Sequence, residues 1–355
     1  MKILGSQGIR TWTFLVLAFG LGVGATGTAS GAVLRVEADG SGAYPTIQAA
    51  FDAASAGDVV ELGPGVYDDH VVRTVFYGTA GAIAHMSPGV SIQGADGASA
   101  TILDGQGITR GLYGEAVGAV EIRGITFRDC ICEGSTDFGT YKWGGGVLVF
   151  DSEVTIRDCA FVQCTAPLEG GGGGVMLYNG SGAHIEGCLF LRNYADDIGG
   201  GLELYQIASA AVVRNTFVDN DSDRGGGALL LNGSATMVES NVFAGNSGNL
   251  SGGAILCLNG AATTATCNVF WQNQAPANEH TAGCGIDVLA NDNVVADPLF
   301  CDPVVDDYSV FRGSPADPDE SPVCGQRGAF PVGCSTVALT PVTWSRLKAS
   351  HRDPR

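Results

Sequence analysis

The segment GGGLELYQIASAAVVRNTFVDNDSDRGGGALLL, residues 199–231, contains one full copy of a motif that recurs along the chain. A glycine-rich triplet followed by an apolar stretch begins at five positions: Gly144, Gly172, Gly199, Gly225 and Ser251. The third residues of these triplets, 146, 174, 201, 227 and 253, are spaced by 28, 27, 26 and 26 residues. A period this constant indicates stacked supersecondary units, each of which contacts its neighbours.

Each copy continues to a phenylalanine that has polar or thiol side chains at fixed offsets. The phenylalanines are Phe161, Phe190, Phe217, Phe243 and Phe270. Three residues after them stand Cys164, Asn193, Asn220, Asn246 and Asn273. Two residues before them stand Cys159, Cys188, Asn215, Asn241 and Asn268. The segments between these marks are short, rich in β-branched and aromatic residues, and broken by glycine, which favours strands over paired helices.

Three short strands per copy, wound into one coil, predict an all-β parallel β-helix of about ten coils spaced by the ordinary strand separation. Equivalent residues of successive coils then lie directly above one another. We expect the asparagines to form columns that hydrogen-bond the turn backbones, and the phenylalanines to form a column inside. The glycines suit corners that require positive φ.

The segment VLRVEADGSGAYPTIQAAFDAASAG, residues 33–57, predicts a helix that caps the first coil. Pro45 precedes it, Gly57 ends it, and one face carries Ile47, Ala50, Phe51 and Ala54. An apolar helical face at this position would cover the open end of the stack, as solenoids require.

Two passages resemble known families. The DGSG…TIQAA…PGVY passage, residues 39–67, is similar to the start of pectin-lyase-like β-helix proteins, especially pectin methylesterases. The repeats resemble passengers of the chlamydial polymorphic outer membrane proteins, with GGAI at Gly252–Ile255 and FxxN beginning at Phe190, Phe217, Phe243 and Phe270. These resemblances imply a right-handed coil and an adhesin-like surface protein, and the fold by itself implies no activity.

Enzymes of the resembled fold usually act on polysaccharides, and their known motifs are mostly missing from this chain. The GxVDFIFG motif of pectin methylesterases is absent. Of the polygalacturonase motifs NTD, DD, GHG and RIK, only Asp196–Asp197 matches at a suitable depth, and the one RLK lies near the end of the chain.

The two ends of the chain predict export and a closed stack. Residues 1–32 have a cationic start, an apolar centre and small residues before a cut near Ser30 or Ala32, which predicts a signal peptide and leaves no membrane span after cleavage. Residues 33–300 form the predicted β-helix, and 301–334 a Pro/Cys-rich cap pinned by Cys301, Cys324 and Cys334. Residues 335–355 form a flexible basic tail.

The formal net charge of −19 excludes nucleic acid as a favoured partner, because an acidic surface repels phosphate backbones. No lysine follows a glycine triplet, so phosphate-binding loops are excluded as well. A helix–loop–helix calcium loop starting at Asp219 fails, since Arg224 replaces its glycine and Leu230 its glutamate.

Acidic residues in the loops after the phenylalanines are candidates for chemistry. Asp196 and Asp223 each follow a phenylalanine by six residues, so they should lie one coil apart. Three interpretations remain open: a calcium site, a catalytic site, and a solvated acidic ladder. The calcium candidates are Asp196, Asp197, Asp219, Asp221 and Asp223; the catalytic candidates are Asp196 and Asp223 with Arg192 or Arg224. We expect no other cofactor.

An aromatic strip is the candidate binding surface. Glu203 should point outward, which assigns Leu148, Met176, Leu229 and Ile255 to the same row and Phe150, Tyr178, Tyr205 and Leu231 to the next. Phe150, Tyr178, Tyr205 and Glu203 are therefore the ligand-binding candidates. The alternative is that the insertion at residues 133–143 or the basic tail covers the strip.

Eleven cysteines in an exported chain predict disulfides and leave at least one thiol unpaired. The repeat places Cys130 above Cys164 and Cys159 above Cys188, and one coil of separation suits the Cα distance of a disulfide. We therefore expect Cys130–Cys164 and Cys159–Cys188 pairs.

The sequence thus predicts a secreted or surface β-helix protein that is non-catalytic and binds a polysaccharide or a cell-surface protein along its elongated face. The alternative is a polysaccharide lyase or hydrolase that uses the carboxylates of the Asp196 and Asp223 loops.

Overall fold

The computed structural model describes residues 31–76, 78–132, 142–276 and 280–334. The predicted signal peptide falls almost wholly in residues 1–30, which lie outside the described residues. The tail 335–355 and residues 133–141 of the insertion at 133–143 lie outside them as well. Within the described ranges, no helix combines the length and the apolar character that a bilayer span requires.

The predicted parallel β-helix is confirmed: three long sheets run along one axis, and every coil except those at the two ends contributes a strand to each of them. The first sheet contains Val33–Val36, Val59–Leu62, Ser91–Gly94, Ala119–Arg123, Glu153–Arg157, Gly182–Glu186, Ala210–Val213, Ala235–Glu239 and Ala262–Thr266. The second contains Gly65–Tyr67, Thr101–Asp104, Thr126–Arg128, Ala160–Val162, Leu189–Leu191, Thr216–Val218, Val242–Ala244, Val269–Trp271 and Val294–Val295. The third contains Ala84–His85, Leu112–Glu115, Val147–Phe150, Val175–Tyr178, Leu202–Tyr205, Leu229–Asn232, Ile255–Leu258 and Thr281–Ala282.

Smaller elements complete the fold. Four coils add a two-residue strand that the repeat did not predict: Thr165–Ala166, Tyr194–Ala195, Asp221–Ser222 and Ser247–Gly248. An antiparallel hairpin consists of Val71–Val75 and Gly78–Ala82, and a terminal three-stranded sheet of Phe300–Asp302, Asp307–Phe311 and Val332–Cys334, with a 3-10 turn at Pro303–Val305.

The N-terminal helix is present at Ile47–Ala53 and packs on the first two strands of the first sheet. Thr46 begins it, because its hydroxyl accepts a hydrogen bond from the Ala49 amide at 3.1 Å. Ile47 and Phe51 are fully buried, so the helix covers the apolar start of the stack. The helix ends at Ala53, earlier than the stop predicted at Gly57.

The phenylalanines stand in single file inside the molecule. Phe190, Phe217 and Phe243 are fully buried and paired in register, and their ring centroids are 4.6 and 5.0 Å apart with nearly parallel planes. Phe161 and Phe270 extend the file at its two ends. Offset aromatic stacking at this spacing adds to the area that each ring removes from water.

The asparagines form two buried columns that link each coil to the next. Asn220 donates from Nδ2 to the carbonyl of Phe190 at 2.9 Å, and its Oδ1 accepts from the backbone amide of Asn193 at 3.1 Å. The neighbouring column repeats this pattern and ends on Asn293, which the repeat alignment did not include. Each side chain thereby pairs turn backbone groups that would otherwise be buried without partners.

Cysteines occupy the first positions of the same two columns, and the predicted Cys130–Cys164 and Cys159–Cys188 disulfides are wrong. All four are buried free thiols. The sulfur of Cys164 contacts the Phe127 carbonyl at 3.5 Å, the place where an asparagine donates in later coils. Equivalent side chains in a parallel stack project in the same direction, whereas a disulfide requires Cβ atoms that approach each other.

The disulfides lie instead at the C-terminal end: Cys257–Cys284, Cys267–Cys324 and Cys301–Cys334. The segment 301–334 packs against the side of the β-helix. The predicted position was the end of the stack. Phe300, Tyr308 and Val310 cover the outer face of the second sheet at Leu191 and Val218. The Cys267–Cys324 bond ties this segment to the last coils.

The corner glycines correct the alignment of the last two repeats. In successive coils the positive-φ corner falls on Gly144, Gly172, Gly199, Gly226 and Gly252. Gly199 therefore matches the second glycine of the 225–227 triplet, and Glu203 pairs with Leu230. The predicted rows were thus shifted by one residue: Leu230 and Leu256 belong with Glu203, in place of Leu229 and Ile255, and Asn232 follows Tyr205, in place of Leu231.

The thiol count distinguishes the observed pairing from the predicted one. Because the five unpaired cysteines are buried, we expect almost no reaction with Ellman's reagent in native buffer and five thiols per chain in denaturant without reductant. Fewer than five thiols in the denatured protein would contradict this assignment.

Candidate functional site

The outer face of the third sheet carries two rows of side chains in register. Tyr113, Leu148, Met176, Glu203, Leu230 and Leu256 form one row, and Glu115, Phe150, Tyr178, Tyr205, Asn232 and Leu258 form the other. These side chains point away from the core because the residues between them, such as Leu202 and Leu204, pack inside it.

One end of this face is covered. Ala80 and Ala82 of the hairpin pack on Tyr113, Leu148 and Phe150, so Phe150 retains only 5% of its exposure. Phe150 is therefore part of a second apolar cluster, which contradicts its prediction as a ligand contact. The cover predicted from the insertion is partly present, since Trp143 at its end also packs against this cluster.

Three aromatic rings remain at the edge of the covered region. Trp143 and Tyr205 lie on either side of Tyr178, with centroids 5.8 and 4.6 Å from it and planes tilted by only 9° and 5°. The next residue in register after Tyr205 is the smaller Asn232. The aromatic file therefore ends at Tyr205, and Tyr178 and Tyr205 are both partly exposed.

Arg110 positions Trp143, and the sequence pattern did not identify it as a functional residue. It is fully buried and donates hydrogen bonds to the carbonyls of Trp143 at 3.0 Å, Gly144 at 2.8 Å and Gly81 at 3.3 Å. Burial lowers the pKa of the Arg110 guanidinium. Because its contacts join the hairpin to the end of the insertion, Arg110 holds both parts of the cover. A lone arginine within TRGLYGE was the only signal for it.

A cavity of about 180 Å³ lies between these rings and the adjacent corner loops. Its lining combines aromatic, carboxyl and amide side chains: Trp143, Tyr178, Tyr205, Asp197, Glu203 and Asn232, together with Gly171, Met176 and Ile198. Two of the predicted ligand contacts, Tyr178 and Tyr205, thus meet Glu203 at one site. Asp197, Asn232 and Trp143 also line this cavity, although the repeat alignment did not identify them as ligand contacts.

Glu203 is the most unusual residue of this cavity. It points outward as predicted, yet Glu203 is only 3% exposed, and its carboxyl group lies against the corner glycine Gly171. Among the described residues, none donates a hydrogen bond to this carboxyl group. Burial raises the pKa of Glu203 to about 8, and the neighbouring charge of Asp197 adds to the rise. At neutral pH the site therefore holds a protonated acid.

Asp197 forms the second acidic wall of the cavity. Its Oδ1 lies 3.0 Å from a guanidinium nitrogen of Arg224. Burial raises the pKa of Asp197, and the charge of Arg224 opposes that shift. The Asp197–Arg224 pair therefore brings one negative and one positive charge beside the neutral Glu203.

The five aspartates proposed as a calcium site do not converge. Asp196 and Asp223 are neighbours, and the Tyr194 hydroxyl lies 3.4 Å from Asp196. Asp221 pairs in register with Tyr194, whereas Asp219 lies near Tyr308 of the terminal segment. Within the described ranges, the one group of three candidate metal ligands is Cys267, Asp292 and Cys324, and its two sulfurs form a disulfide.

The predicted catalytic set is also divided. A hydrogen bond from the Glu169 amide to Asp196 lowers the pKa of that carboxyl, and Asn249 lies 3.3 Å from Asp223. Arg192 instead pairs with Asp306 of the terminal segment at 2.7 Å, and Arg224 pairs with Asp197. Neither arginine is therefore directed at the Asp196–Asp223 pair.

Residues 83–294 match the family model described as "Right handed beta helix region", which spans more than half of the chain. The chain therefore belongs to the right-handed β-helix family, and the handedness inferred from resemblance is confirmed. No curated protein matches the sequence. Among solved structures, the PL6 family alginate lyase AlyGC is similar at 13% identity and a TM-score of 0.22, over 70% of this chain and 53% of the enzyme. The chain thus spans about half the length of that enzyme.

The buried Glu203 predicts a pH-dependent difference between the protein and its Glu203→Gln variant. The folded-state pKa lies above the unfolded one, so the stability present below about pH 4.5 is lost as the pH rises toward 8. Relative to the variant, the unfolding free energy should fall by at most roughly 1.4 kcal/mol per pH unit across this window. Asp197, the charged group facing Glu203, is the same in both proteins.

Urea denaturation of both proteins at intervals from pH 5 to pH 9 measures this difference. A gap between the two unfolding free energies that stays constant over this range would contradict a buried acid at position 203.

Proposed function

We propose that this protein is an exported, non-catalytic β-helix protein that binds glycans on the outer face of the third sheet, at the cavity beside Tyr178 and Tyr205. The observation that carries the proposal is the combination of partly exposed tyrosine rings with carboxyl and amide groups in one concave site. Sugars present apolar ring faces and a fringe of hydroxyl groups, and this lining matches both.

The size of the cavity limits what enters it. At about 180 Å³ the cavity is smaller than the pockets that enclose drug-sized ligands. One sugar unit at a chain end or branch fits this description better than a protein segment. The rest of the glycan would extend along the neighbouring coils.

Export is supported by two features. The first 32 residues have the pattern of a cleaved signal, and three disulfides join the last coils and the terminal segment. Disulfides persist in oxidising compartments, so a secreted or surface location agrees with the covalent structure.

Polysaccharide hydrolysis is the second candidate, and one specific observation favours it. A protonated Glu203 beside Asp197 has the form of a general acid next to a carboxylate, the pair on which glycoside hydrolysis depends. Release of reducing ends from a bound glycan, abolished in Glu203→Gln, would establish this activity in place of simple binding.

Substitution of Tyr205 tests the binding proposal. Tyr205→Ala removes the last ring of the aromatic file, so affinity for a bound oligosaccharide should fall by about 10-fold, the size of one aromatic contact. Met237→Ala, on the exposed outer face of the first sheet, is the matched control and should bind like the unaltered protein. Screening on a glycan array followed by calorimetry gives both values; equal loss in the two variants, or none in Tyr205→Ala, would refute this site.

A further inference from the structure

The cavity that contains Glu203 is lined by acidic side chains and by no basic ones. Its lining contains two carboxyl groups, Asp197 and Glu203, and no lysine, arginine or histidine. Arg224 neutralises Asp197 from outside the lining. If Glu203 ionises, one negative charge remains without a protein counterion among the residues that line the cavity.

Glu203 also lacks a hydrogen-bonding partner among the described residues, although it is almost completely buried. A largely buried polar group without a partner is destabilising. Such a group persists where a ligand supplies the missing contact. The partner that best suits a carboxyl group beside another carboxylate is a cation that also donates hydrogen bonds.

Resting on the proposed glycan-binding function, we infer that this cavity takes the protonated amino group of an amino sugar, so that the ligand class is a polysaccharide with free amines. An ammonium group placed between Glu203 and Asp197 makes the charges of these two carboxylates, Arg224 and the ligand sum to zero. Binding converts Glu203 from its neutral to its ionised form and releases its proton to the solvent.

Other glycan classes fit the cavity less well. A uronate would bring a second negative charge beside Asp197, and like charges this close repel. An N-acetylated sugar can accept a hydrogen bond from neutral Glu203 but forms no ion pair. The negative charge of the whole chain further favours cationic ligands during the encounter.

A matched pair of oligosaccharides tests the inference: a β-1,4-linked glucosamine tetramer and its fully N-acetylated counterpart. At about pH 5.5 and moderate salt, where the glucosamine amines are already protonated, calorimetry should show at least about 10-fold tighter binding of the amine tetramer, the usual scale of a charge-assisted contact. Repeating the titration in buffers of different ionisation enthalpy should show roughly one proton released per bound site. Binding of the N-acetylated tetramer should release none.

Variants separate this site from general attraction to an acidic protein. Glu203→Gln should bring the two tetramers to within about 2-fold of each other and abolish proton release, without weakening the N-acetylated tetramer. Glu153→Gln makes the same substitution at an exposed position on the first sheet and should keep the full preference. If Glu203→Gln does not fold, Asp197→Asn serves in its place, with the amine preference again expected to fall.

Each outcome decides the matter. Equal binding of both tetramers by the unaltered protein leaves glycan binding standing and overturns the amine inference. Binding of neither tetramer overturns the amine inference, and the proposed function falls with it only if the glycan array also yields no ligand. A preference that survives Glu203→Gln, or that Glu153→Gln reduces equally, assigns the effect to overall charge and also overturns the inference.

Discussion

The structure depends on how the buried corners of each coil satisfy their backbone hydrogen bonds. At two corners the amide and carbonyl groups face inward, where no water competes for them, and a side chain from the next coil supplies the partner. Asn220 does so for the coil that contains Phe190 and Asn193. An unsatisfied buried group costs about 1–3 kcal/mol, so a slip of one residue along a whole column would be prohibitive. This requirement sets the register of the coils that carry the two columns.

The register in turn creates the surface chemistry. Because side chains far apart in sequence become vertical neighbours, a row of large residues on the third sheet becomes the aromatic file that ends at Tyr205, where Asn232 follows. The adjacent row runs beneath the cover formed by the hairpin and Trp143 and then reaches Glu203 in the cavity. Arg110 holds that cover through backbone carbonyls, so a structural cation outside the repeat shapes the candidate site.

Much of the architecture could be predicted from the repeat, since period, strand-like segments and columns all follow from one constraint. The phenylalanine file and the asparagine columns are features of this kind, whereas the N-terminal helix follows from its own apolar face at Ile47, Ala50 and Phe51. The error at Gly225 shows the limit: a run of three glycines does not reveal which one adopts positive φ, and the choice of Gly226 shifted the outer rows by one residue. The two predicted disulfides were wrong for a related reason, because a cysteine can occupy an asparagine position in a column while its thiol stays unpaired.

The candidate site was less predictable, because Trp143 comes from a segment outside the repeat and the corner loops that enclose Glu203 are not visible in the strand pattern. The hairpin at 71–82 and Trp143 carry no periodic signal, yet they pack against the apolar cluster that buries Phe150, while the corner at Gly171 lies against the carboxyl group of Glu203. The aspartates failed as a common centre because their side chains leave the loop in different directions, so that Asp219 lies beside Tyr308 while Asp197 reaches the cavity.

The most direct test of this account is a double-mutant cycle on one asparagine column. Asn220 and Asn246 are hydrogen-bonded at 2.9 Å, so Asn220→Ala and Asn246→Ala should be coupled by about 0.5–3 kcal/mol in the free energy of unfolding. Asn246→Ala combined with Asn215→Ala, from the other column, should be additive to within about 0.5 kcal/mol. Strict additivity for Asn220 and Asn246 would contradict the stacked register on which the whole structure depends.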